Sequence, residues 1–261
     1  MCWSGGVTLL DTLLGRPAPV SVPALDALPA PQAAPSLAGE LRTGLQLARL
    51  ARAAPWLLRA PRGHGEHVID LPGWRAPEAS NAPLRGYLRI LGYESRSWGL
   101  GVNRGNPAAD ARALIARLRE RPHGERVGLV GWSLGGVVAR EIARELPERV
   151  ACVVTYGTPV VGGPTYTVAA RVYGVQRSRR AEALAARLDA ERPIAVPITA
   201  IFTRADGVVD WRACIDRSSP HARHVEVRST HVGLGFDPDV WWTVAGALAE
   251  HLSSRATSTT A

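Results

Sequence analysis

The 261-residue sequence contains no lysine; all 31 of its basic residues are arginine. Against 23 acidic residues they leave a net charge of +8, a balance that raises nucleic acid as a partner. Lysine's absence, beside abundant Ala, Gly, Pro and Arg, looks instead like the coding bias of a GC-rich genome. The arginines are also dispersed through helical stretches, at 112, 117, 119, 140, 144 and 187, often alternating with glutamate as solvated faces do. Only Arg177-Ser178-Arg179-Arg180 forms a tight basic run. No specific nucleic-acid site is expected, and such a surface offers at most weak contact with an anionic membrane.

Cysteine is scarce too. Cys2, Cys152 and Cys214 make an odd count with no CxxC, which indicates neither a zinc site nor a disulfide framework. Cys152 lies in an apolar run and reads as a buried thiol, with a bridge to Cys214 left open. No run of about 18 apolar residues is present, so no transmembrane helix is expected. The N-terminus shows no basic start, apolar stretch and cleavage signal, which makes the cytoplasm the default location. With 46% hydrophobic and 21% charged residues and a mean hydropathy of −0.02, neither a disordered polyelectrolyte nor a membrane protein fits. A chain this long buries roughly three quarters of its unfolded surface in one core.

What is present is rhythm. Residues 1–35 carry Pro17, Pro19, Pro23, Pro29, Pro31 and Pro35, spacing that forbids long helices or central strands and predicts an irregular or extended lead-in. From 36 to 58, Leu37, Leu41, Leu45 and Ala48 recur at helical spacing among Arg42, Arg49 and Arg52. This predicts an amphipathic helix that docks on the core or lies on a membrane surface. Residues 1–60 are therefore set apart from a domain at 61–253 and a polar tail at 254–261.

Within 61–253 strands and helices alternate. Strands are predicted at 67–71, 93–98, 126–132, 150–156, 198–203 and 224–227, and helices at 82–91, 107–121, 135–146 and 239–252. Near-continuous apolar strands alternating with helices imply an α/β fold, with a mostly parallel central sheet covered on both faces. Residues 160–196 interrupt the rhythm, as either a lid or cap insertion or an ordinary long crossover.

The sharpest local signal is Gly131-Trp132-Ser133-Leu134-Gly135. It fits G-x-S-x-G between a predicted strand and a predicted helix, where a very sharp turn lifts a serine hydroxyl above the sheet edge. Side chains two residues to either side would clash, which suits Gly131 and Gly135. Ser133 is thus the candidate nucleophile, and it needs a base oriented by an acid. Asp206 follows the 198–203 strand directly and is favoured as the acid over Asp210, four residues on. His231 follows the last strand and is the candidate base; the other six histidines lie at the wrong end, in a turn or on a helix. The oxyanion needs donors already aimed at it, each worth roughly 3 kcal/mol. The backbone N–H groups of Leu134 and Trp74 are the candidates, the latter because Gly73 lets the chain approach closely.

These segments resemble the α/β-hydrolase superfamily, and within it the bacterial lipase and esterase branch. Gly131–Gly136 resembles the lipase nucleophile elbow, Thr155-Tyr156-Gly157-Thr158-Pro159 the stretch after the next strand, 205–211 the acid loop and 230–233 the histidine loop. The resemblance covers roughly 61–253 and departs at Pro72-Gly73, where many lipases carry His-Gly. It implies a serine carboxylic-ester hydrolase with an acyl-enzyme intermediate, no cofactor and no metal, acting on a small-molecule or lipid ester. The same fold also serves thioesterases, acyltransferases and non-catalytic proteins that bind membranes or partners.

Two further patterns are weaker. Gly99-Leu100-Gly101-Val102-Asn103-Arg104-Gly105 mimics a dinucleotide loop, but its third glycine is displaced by one, so it reads as a glycine-rich loop on the site's rim. Among the tryptophans only Trp74 and Trp132 flank catalytic elements, and these two are expected to contact substrate.

Overall fold

The computed structural model describes residues 16, 17, 19–21 and 37–252. Cys2, most of the Pro-rich lead-in and the polar tail lie outside the described residues. Among the described residues seven strands form one sheet: β1 (Val20–Ser21), β2 (His67–Leu71), β3 (Glu94–Ser97), β4 (Val127–Trp132), β5 (Val150–Tyr156), β6 (Ile198–Phe202) and β7 (Ala222–Glu226). Their order is β1-β7-β6-β5-β4-β2-β3, with every neighbouring pair parallel except β1–β7. The two-residue β1, flanked by prolines, takes an edge position, where missing N–H donors cost no ladder bonds.

Alternate residues of each strand feed opposite layers. Val68, Val130 and Val154 pack beneath α1 (Gly44–Leu57), α2 (Ala82–Ile90) and α7 (Pro238–Leu252), with Leu57, Leu88 and Val244 as partners. Leu129, Val153 and Ile198 face α3 (Pro107–Arg119) and α4 (Leu134–Glu145) through Leu114, Val138 and Ile142. The central β5 is buried along its whole length, as expected where both faces are covered. α3 begins as its sequence suggests, with Pro107 in the first turn and the Asn106 side chain accepting the Ala109 N–H at 3.3 Å. Residues 160–196 contribute α5 (Ala170–Tyr173) and α6 (Val175–Glu191).

One helix turns a different face inward from the one its leucines predict. Residues Leu37–Thr43 form a 3₁₀ turn and only Gly44–Leu57 is α-helical. The change from 3.0 to 3.6 residues per turn breaks the stripe's phase. Leu41 is 90% and Leu45 65% exposed, while Gln46, Ala53 and Leu57 are buried. The inward face also carries a polar clamp: Arg49 reaches Asp237 and Asp239, at 2.8 Å each, on the turn that opens α7. Cys152 and Cys214 are both free and buried. Among the described residues no helix is long and apolar enough to cross a membrane.

Register brings the strand ends level. Leu71 pairs with Gly131, Trp132 with Tyr156, and Tyr156 with Ile201, so the loops after β2, β4, β5 and β6 leave the same edge. Val227 N–H donates to Phe202 O at 2.9 Å, which carries the chain after β7 to that edge as well.

Candidate active site

The apolar β4 leads into α4 through Ser133, whose φ of 52° and ψ of −122° lie in a region L-residues rarely occupy. Such backbone costs about 1–3 kcal/mol and persists only where its surroundings over-determine it. Here they do. A Cβ on Gly131 would sit 2.5 Å from Gly136 N, one on Gly135 2.6 Å from the Leu71 carbonyl carbon, and one on Gly136 2.8 Å from Thr158 Cγ2. The turn is sealed by the Ser133 N–H donating to Tyr156 O at 2.9 Å.

The loop after β2 packs directly on this turn. A Cβ on Gly73 would lie 3.3 Å from Ser133 Cβ and 3.1 Å from the Trp132 ring, which is why the chain can pass so close. Buried Asn103 braces the loop. Its Nδ2 donates to Pro72 O at 2.8 Å, and its own carbonyl accepts the Arg75 N–H at 2.8 Å. The glycine-rich stretch 99–105 therefore supports the rim, with Gly105 against Trp74 and the Tyr173 hydroxyl, which donates to Gly105 O at 2.9 Å. Asp70, two residues before Pro72, is buried on β2 and takes Arg85 at 2.8 and 2.9 Å. Burial pushes its pKa up to about 6, opposed by Arg85.

Asp206 and His231 meet at this edge. Asp206 Oδ2 lies 2.8 Å from His231 Nδ1, and both side chains are buried. The other oxygen, Oδ1, accepts the Val208 and Val209 N–H groups at 2.8 and 2.7 Å, which locks the carboxylate's orientation. Asp210 points elsewhere: it caps the turn Trp211–Cys214 through the Arg212 N–H and pairs with the Arg212 guanidinium, both at 3.1 Å. Cys214 lies close by, and burial together with Asp206 and Asp210 raises its thiol pKa well above the ordinary value. His224 lies inside β7, where its Nε2 accepts the Asp216 N–H at 2.9 Å. Burial lowers its pKa.

Ser133 and His231 both line a cavity of about 990 Å³, together with Gly73, Trp74, Trp132 and Leu134. The six sequence-predicted positions thus converge, with Asp206 behind His231. Ala108 and Ile115 of α3, Val137 of α4, and Leu184 and Leu188 of α6 extend the cavity as a mostly apolar trench. The 160–196 segment forms one of its walls. Trp132 also steadies the histidine, its ring 5.7 Å from the imidazole and its Nε1 donating to His231 O at 3.2 Å. Among the described residues no group of three or more His, Cys, Asp or Glu could hold a metal ion.

Two polar devices escape the sequence reading. Glu40, from the chain's first sixty residues, accepts backbone N–H groups of Gly207, His231 and Val232, each at 2.9 Å. Although burial works to raise its pKa, these donors and Thr230 hold the carboxyl below its ordinary value. The second is Arg140 on α4, buried between Asp216 and Asp189, whose carboxylate also takes Arg144 at 2.6 Å. Asp216 is depressed well below the usual carboxylate range: burial works against this, and Arg140 outweighs it. Neither device has a local signature, since the partners of Glu40 lie 167 to 192 positions away.

A family model describing the alpha/beta hydrolase fold matches residues 60–187. No curated protein is significantly similar to the chain. Solved structures are similar in fold. An α/β-hydrolase enzyme from the metagenome of sediments from the lagoon of Mar Chica, Morocco, has 20% identity and a TM-score of 0.51, over 75% of this chain and 94% of that one. A metagenomic carboxyl esterase has 16% identity and a TM-score of 0.55, over 75% and 78%. A structure from work on LipS and LipT, two metagenome-derived lipolytic enzymes, has 18% identity and a TM-score of 0.56, over 74% and 96%. Sheet order, the strained turn after β4 and the matching family model agree: the chain has the α/β-hydrolase fold.

Proposed function

We propose that this chain is a serine hydrolase of carboxylic esters whose acyl or alcohol part is largely apolar. The observation that carries the reading is the 2.8 Å contact of His231 Nδ1 with Asp206 Oδ2, behind a cavity that His231 shares with Ser133. With Nδ1 committed to the carboxylate, Nε2 is the nitrogen left to take the Ser133 proton as the hydroxyl attacks the ester carbonyl. Asp206 holds the ring in that tautomer and stabilises the imidazolium that forms. The Trp74 and Leu134 N–H groups receive the oxyanion, each contributing about 3 kcal/mol in the transition state. His231 then returns the proton to the leaving alcohol, and water repeats the sequence on the acyl-enzyme. The apolar trench supports an apolar ester group, and the names of the carboxyl esterase and lipolytic neighbours point the same way.

Labelling with a fluorophosphonate probe and mapping the modified peptide tests this. Stoichiometric label is expected on Ser133 and none on Ser133→Ala, which should also lose about 10⁴-fold or more of ester turnover. A folded chain that takes no label, or a variant that keeps near-normal turnover, removes the assignment. Product analysis with added alcohol or thiol acceptors separates hydrolysis from acyl transfer.

A further inference from the structure

Glu40 sits outside the hydrolase elements, yet it touches the two loops that carry the acid and the base. Its Oε1 accepts the N–H of Gly207, next to Asp206, and the N–H of His231 itself; its Oε2 accepts the N–H of Val232. Three residues on, the Thr43 hydroxyl lies 2.8 Å from that of Thr230, a second tie from the same turn to the histidine loop. Behind these, Arg49 fastens α1 to Asp237 and Asp239. The segment 37–57 thus carries a line of polar contacts along the outer side of the histidine loop. An ionised carboxylate accepting backbone N–H groups makes charge-assisted bonds, roughly twice as strong as neutral ones.

We propose that Glu40 is a positioning residue for the Asp206–His231 pair, so that the site is complete only with the N-terminal segment in place. The inference rests on the esterase reading. Within the hydrolase elements Thr203 ties the two loops through the Ser229 backbone, at 2.8 and 3.2 Å, but Glu40 acts nearer the pair. Asp206 and His231 leave different strands, β6 and β7, and their side-chain hydrogen bond holds only if the two loops keep one spacing. Glu40 bridges the backbones of both loops with a single rigid carboxylate, within one residue of each functional side chain. A small drift of the imidazole is costly, since displacements of about 1 Å can cost about 100-fold in rate.

The test uses the full chain with Glu40→Ala and Glu40→Gln, a short soluble nitrophenyl ester, and proton NMR of the His231 imidazole. Glu40→Ala should lower kcat by on the order of 10- to 100-fold with KM little changed. It should also broaden or remove the downfield Nδ1–H resonance that the Asp206 hydrogen bond produces. Glu40→Gln retains one acceptor oxygen but turns an amide N–H₂ towards the Val232 N–H, so it should recover part of both signals. If Glu40→Ala does not fold, the Gln variant decides on the same readouts. Wild-type kcat and an unchanged resonance in a folded variant overturn the proposal, as does a fall in Tm alone. Should the wild-type chain turn over no ester, the esterase reading falls, while the resonance and its loss still decide the role of Glu40.

Discussion

Ser133 and the Asp206–His231 pair are held in opposite ways. The serine is placed by backbone sterics within a few residues: glycines at 131, 135 and 136 lie where a Cβ would strike Gly136, Leu71 or Thr158. The loops of Asp206 and His231 are bridged by side-chain hydrogen bonds from distant segments, Glu40 on the backbone of both and Trp132 on that of His231, in addition to the local Val208 and Val209 N–H groups that orient Asp206. A turn made by excluded volume leaves a local motif in the sequence. A clamp made by long-range hydrogen bonds leaves none.

Three sets of variants sharpen the contrast. The largest effect belongs to the acid. Asp206→Asn presents an amide where the imidazole needs a carboxylate, and kcat should fall by on the order of 10⁴. Asp210→Asn, whose carboxylate is turned to Arg212, should leave kcat near the wild-type value. Steady-state kinetics of the two side by side would reverse the choice of acid if Asp210→Asn were the crippled one.

Next comes the charge cluster that ties α4 to α6 and to the loop after β6. Arg140→Met leaves Asp216 buried without its counter-charge, and should cost about 3–5 kcal/mol by denaturant titration. Asp216→Leu added to it should restore much of that loss, whereas a merely additive double variant would contradict the pairing.

The smallest effect tests excluded volume. Gly135→Ala puts a methyl against the Leu71 carbonyl and should destabilise by about 1–3 kcal/mol. Because Leu71 leads into the loop that carries Trp74, kcat should fall as well. Unchanged Tm and kcat would show that the turn has room it is not expected to have.

Much of this architecture is legible residue by residue. Apolar strands at 67–71, 126–132, 150–156 and 198–203 alternate with helices, and the β4–α4 glycines mark the turn. Even the loop that packs on the Ser133 turn is visible in Pro72-Gly73. The face of α1 is not. Leu37, Leu41 and Leu45 make a credible apolar stripe, yet Leu41 and Leu45 stand exposed. Periodicity reports where apolar residues recur and says nothing about ion pairs. The face that turns inward seats Arg49 on Asp237 and Asp239, 188 and 190 positions away, beside buried Ala53 and Leu57.

What the sequence by itself determined is local and steric: strand and helix alternation, and a serine between glycines that only a strand–turn–helix can use. Its chain order of serine, aspartate and histidine also narrowed seven histidines to one. Only the tertiary structure sets Asp206 apart from Asp210, because both stand near the same strand end and one carboxylate is turned to His231, the other to Arg212. It also decided that residues 37–57 reach the site, because the partners of Glu40 and Arg49 are side by side only after the sheet has formed. Short-range exclusion is written in neighbouring residues, whereas hydrogen bonds across the fold acquire their partners when the chain closes on itself.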